Sequence, residues 1–86
     1  MTTYSSNEEF FQAITKLMDR MRQSGQTEAA EEILYGYRCL NGLTDGWAML
    51  LDSIKKVIAS NGQHLPADQL SELKAMFDVV KKVVYR

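Results

Sequence analysis

Trp47, Leu50, Leu51, Ile54, Val57 and Ile58 fall within about 120° of arc when successive residues are turned by 100°. A strand cannot show that set on one side, because its side chains alternate between faces. Asp52, Lys55 and Lys56 point the other way, so the stretch from about 45 to 60 is an amphipathic helix with one face to bury. A lone helix has nothing to bury that face against. The fold therefore depends on how many other stretches share the pattern.

Three do. From about 7 to 23, Phe10, Ile14, Leu17 and Met21 recur at spacings of four, three and four, with Phe11 and Met18 widening the face. Ser6 and Glu9 fit a capping box, Glu8 and Glu9 suit the positive end of the helix dipole, and Ser24-Gly25 supplies the stop. From about 28 to 40, Ala30, Ile33, Tyr37 and Leu40 form an inward line beside Leu34, opened by Thr27 as a cap and by early Glu28, Glu31 and Glu32. Gly36 sits inside this pattern at a cost of about 1 kcal/mol against alanine, which points to close approach of a neighbouring helix. From about 66 to 85, Pro66 opens a segment whose Leu70, Leu73, Phe77, Val80 and Val84 keep a three-four-three-four spacing. Its valines favour strands locally, but Val79-Val80 and Val83-Val84 repeat at an interval of four and so keep the helical period.

The stretch LNGLTDGW, residues 40–47, carries Asn-Gly and Asp-Gly, which signal a hairpin only between alternating apolar flanks. Both flanks here have helical spacing, so the stretch is a corner. Asn41-Gly42 closes the second helix, Thr44 or Asp45 caps the third, and Leu43 is placed to act as a hydrophobic staple. Four amphipathic helices with connections this short become antiparallel neighbours. The expected fold is all-α, an antiparallel four-helix bundle with helices at about 7–23, 28–40, 45–60 and 66–85. Eighty-six residues form one domain, with 1–5 expected to be flexible. The runner-up is a looser helical array bent at Gly36.

Composition narrows the function classes. The net charge of −1 gives no general attraction to nucleic acid or anionic lipid. The first 35 residues hold six acids and three bases, and the remainder is nearly balanced. The longest wholly apolar run, Trp47 to Leu51, is far too short to cross a bilayer. A single cysteine, Cys39, cannot form an internal disulfide, and together with a start lacking an export pattern it favours a cytoplasmic setting.

Chemistry-bearing sets are sparse. His64 is the sole histidine, in a polar connection with no cysteine pair beside it, so it reads as a solvated loop residue and no metal is expected. Cys39 has no second histidine or orienting group to activate it and reads as a buried or interface thiol. Asn41, Asp45, Gly46 and Asp52 match four positions of a calcium loop, but Leu43 occupies a liganding position and Asp52 replaces the longer Glu. There is no glycine-rich phosphate cradle. A nucleic-acid-reading third helix would need basic or amide residues near its start, and this one begins Asp-Gly-Trp-Ala-Met. The reading is non-enzymatic, without cofactor, nucleic acid or membrane.

The surplus is apolar. With Phe77 at zero, the main line of the last helix spans about +20° to −60°, while Met76, Val79 and Val83 form a second line at about −100° to −160°. Tyr35 and Cys39 share the outer side of the second helix, opposite Tyr37, and Met49 is outside on the third. The expected interface is Met76, Val79, Val83, Tyr35 and Cys39, meeting a second copy in a homodimer or a partner helix. The alternatives are a small-molecule or effector-binding bundle, with Tyr35, Tyr37 and Trp47 lining a pocket, and a neutralising partner of immunity-protein or antitoxin type, which rests on fold analogy alone.

Overall fold

The structure is a computed structural model that describes residues 6–40 and 46–85. Four helices follow one another: α1 (Asn7–Gln23), α2 (Thr27–Arg38), α3 (Gly46–Asn61) and α4 (Ala67–Val84). Among the described residues there is no strand. Each helix packs on the next and α4 returns to α1, with no close backbone approach between diagonal pairs among the described residues, so the helices form a ring. Gln69 at the start of α4 donates to the Arg20 carbonyl at the end of α1, which makes that pair antiparallel too. The chain is an all-α four-helix bundle.

Local chemistry sets the first boundaries. Ser6 Oγ accepts from the Glu9 N–H at 3.2 Å and caps α1. At its other end, Gly25 takes φ +85°, the Gln26 N–H reaches the Met21 carbonyl at 2.7 Å, and the Gly25 N–H reaches Arg22 at 3.1 Å. Those two bonds are the Schellman closure that the Ser24-Gly25 step predicts.

The next boundary departs from expectation. Thr27 does not cap α2; it is the first helical residue, and Gln26 holds the cap position without a side-chain cap bond. Gln26 serves two neighbours instead. Its backbone N–H closes α1, and its side-chain amide donates to the His64 carbonyl at 3.0 Å, tying the first connection to the third. Pro66 likewise sits one residue before α4, where its carbonyl accepts from Leu70 at 3.0 Å. The roles assigned to Asn41, Gly42, Leu43, Thr44 and Asp45, and most of the calcium-loop reading, lie outside the described residues, as do residues 1–5.

α2 is unbroken through Gly36, so the bent array is ruled out. A Cβ at Gly36 would stand 2.6 Å from Ser53 Oγ and 2.9 Å from the Leu50 Cα on α3. The glycine is there because the two backbones approach too closely for any side chain. Ser53, only 3% exposed, fits the same contact and donates to Glu32 Oε2 at 3.2 Å. Further along, Gly46 lies against the backbone of Cys39 and Leu40, which fixes the antiparallel register of α2 on α3.

The core joins Phe10, Ile14, Leu17, Met18 and Met21 of α1 to Ala29, Ala30 and Ile33 of α2. It continues through Leu50, Leu51, Ile54 and Val57 of α3, Leu65, and Leu73, Met76 and Val80 of α4. The α1–α4 seam is more open and carries polar ties at one end. Arg20 pairs with Glu72 and, at 3.9 Å, with Asp68. Gln69, 5% exposed, donates to Arg20 and Ser24.

Replacing Gly36 by alanine gains about 1 kcal/mol in helix propensity. It also forces α2 and α3 apart, at a typical overpacking cost of about 1–3 kcal/mol. Urea unfolding should therefore show Gly36→Ala to be less stable than the parent; an equal or higher midpoint would contradict the close contact.

Candidate functional site

The five residues expected to form one interface do not lie together. Met76 has 0% exposure and belongs to the core, so it is withdrawn from any surface set. The reason is rotational. The buried residues of α4 are Gln69, Leu73, Met76 and Val80, a line centred about −70° from Phe77. A helix at a corner of a ring touches two neighbours, so its inward direction lies between its two seams. Both apolar lines read from the sequence are flanks of that direction. Leu70, Phe77 and Val84 are half-buried on the α3 side; Val79 and Val83 are half-buried on the α1 side.

Tyr35 and Cys39 occupy a different edge. Measured from Ile33, they lie at about −160° and −120° on α2, the flank where Glu32 and Gly36 meet α3. On α3, Met49 lies at about −140° from Ile54, on the flank where Ser53 meets α2. The register set by Gly36 and Gly46 brings Met49 level with Tyr35 and Cys39. Tyr35 is 57% exposed, Met49 37%, and Cys39 is half-buried. This α2–α3 edge is opposite the α1–α4 edge that carries Val79 and Val83.

Tyr37, Trp47 and Tyr35, considered together as a pocket lining, also separate. Trp47 stacks on Phe11 with ring centres 5.9 Å apart and planes 24° from parallel, and its ring also lies 5.9 Å from Phe10. Tyr37 meets Phe11 edge-on at 6.0 Å. These rings join the start of α1, the end of α2 and the start of α3 in offset and edge-to-face contacts. Tyr35 points away from them. Two open clefts flank Phe11 and Tyr37, one of about 300 Å³ beside Arg38 and Leu40, the other of about 390 Å³ beside Glu8, Gln12, Thr15 and Lys16.

A third cleft, of about 430 Å³, opens between α3 and α4 and is lined by Lys55, Ile58, Ala59, Lys74, Phe77 and Asp78. Sequence reading placed Ile58 and Phe77 among inward residues. They end half-buried because α4 is turned, and no local signal in either helix marks them as cleft floor. Gln69 was missed as well, since a glutamine at a core position breaks the apolar pattern that reveals core. Among the described residues no group of three His, Cys, Asp or Glu side chains is placed to hold a metal ion. His64 is exposed.

No protein family, curated protein or solved structure matches this chain. Among the described residues no helix is long and apolar enough to cross a membrane.

Truncation distinguishes core from flank on α4. Met76→Ala should lose about 2–5 kcal/mol of stability as a fully buried methionine. Val83→Ala, at a half-buried position, should lose less than about 1 kcal/mol. Comparable losses in chemical denaturation would mean that α4 is not turned as described.

Proposed function

We propose that this chain is a non-enzymatic protein–protein interaction module that self-associates through the outer α2–α3 edge. The observation that carries this reading is the exposure of Tyr35 on α2 and Met49 on α3, with the half-buried Cys39 on the same flank of α2, on the most closely packed helix pair. Tyrosine and methionine are enriched where proteins meet, one as a rigid amphipathic anchor and the other as an adaptable filler. A rigid platform also reduces the ordering cost of association.

A second copy is the natural partner. An isologous two-fold contact covers the same patch on both subunits at once. It would bury additional apolar surface for a short chain, whose isolated fold hides only about 60% of its unfolded area. Val79 and Val83, on the opposite edge, form a separate and smaller apolar strip and are not needed for this contact. A reducing cytoplasmic compartment suits a single half-buried thiol at the seam.

Sedimentation equilibrium over a wide concentration range tests the reading. The parent chain should form dimers, and Tyr35→Glu with Met49→Lys should be monomeric. Both sites are exposed, so the variant should keep its stability to within about 0.5 kcal/mol. A parent that stays monomeric throughout, or a variant that dimerises equally well, would overturn it.

A further inference from the structure

We propose that the cleft between α3 and α4 binds a small amphipathic carboxylate, its apolar tail on Ile58 and Phe77 and its charged head between Lys55 and Lys74. The cleft volume of about 430 Å³ lies within the range of about 300–1,000 Å³ that takes small organic ligands. Its floor is the half-buried pair Ile58 and Phe77, with Ala59 beside them. An aliphatic or aryl tail laid there removes apolar area from water on both partners.

The rim selects the charge. Lys55 comes from α3 and Lys74 from α4, so two ammonium groups flank one opening from opposite sides. Neither belongs to an ion pair among the described residues, and neither does Asp78. Both lysines are therefore available to an incoming anion. Two lysines against one aspartate leave a lining charge of +1, favouring an anion over a cation. Asp78 lies beyond Lys74 around α4, at about 100° from Phe77 against about 60°, so the lysine is the nearer of the two to the cleft floor.

The two clefts beside Phe11 and Tyr37 lack this combination among their described lining residues. Glu8 and Lys16 cancel in one, and in the other Arg38 is the one charged residue among the described lining residues. Only the α3–α4 cleft, among these three, pairs a wholly apolar floor with cations from both walls.

Octanoate and octylammonium, matched in tail and opposite in charge, are the probes, each held below its micellar range. Binding is followed by calorimetry and by the Ile58 methyl resonance of the full chain. Octanoate should saturate and shift that methyl, and octylammonium should bind far more weakly. The double variant Lys55→Gln and Lys74→Gln removes two exposed, unpaired charges, so its circular dichroism should match the parent. Its octanoate affinity should fall roughly tenfold, as expected for loss of two solvent-exposed ion pairs. Equal binding of both probes, unchanged affinity in the double variant, shifts confined to the Phe11–Tyr37 region, or failure of octanoate to saturate would each overturn the assignment.

Discussion

The contact between Gly36 of α2 and Leu50 and Ser53 of α3 is the constraint on which the rest of the bundle depends. Two helix backbones can approach this closely only where one side chain is missing and the facing one is small. Gly36 meets the first condition and Ser53 the second. The serine brings a hydroxyl into a buried seam, and its bond to Glu32 keeps that hydroxyl from being left unpaired. Helix propensity lost at the glycine is thus exchanged for close packing of two apolar faces.

With α2 and α3 locked in this register, the directions of their other residues follow. Ile33, Leu50 and Ile54 point to the shared core; Tyr35, Cys39 and Met49 are left on the outer edge. Tyr37 at the end of α2 and Trp47 at the start of α3 are carried to α1, where Phe10 and Phe11 complete an aromatic cluster. The α1–α4 seam is held differently, by Arg20 with Asp68 and Glu72 and by Gln69 on the end of α1. Exposed ion pairs contribute little to stability, typically up to about 1 kcal/mol each. The bundle is accordingly tight on one edge and looser on the opposite one.

Much of this was legible in the residues. Four helical periods, the Ser6 cap, the Gly25 stop and the meaning of Gly36 are each a local rule applied to a local pattern, and the structure follows them. The errors share a physical origin. Thr27 has the right side chain for a cap, but the tight turn after α1 leaves Gln26 in that position. The rotation of α4 depends on two neighbours simultaneously, and periodicity within one helix carries no information about where its neighbours stand. Hence Met76 is expected outside and Phe77 inside, although a rotation of only about 50° separates the expected inward direction from the observed one. Tyr35 is exposed, as its place opposite Tyr37 implies, because α2 has one apolar line and no rival; Cys39 on the same flank is half-buried.

The most direct test of this uneven architecture is native-state amide hydrogen exchange. Local opening energies range from near zero at frayed ends to the global value in the best-packed elements. The slowest amides should lie in α2 and α3 around Ile33, Gly36 and Ile54, with α4 and the N-terminal half of α1 opening earlier. If the slowest amides belong to α1 or α4 while the Gly36–Ser53 region exchanges through lower-energy opening, the close helix pair is not the centre of the fold.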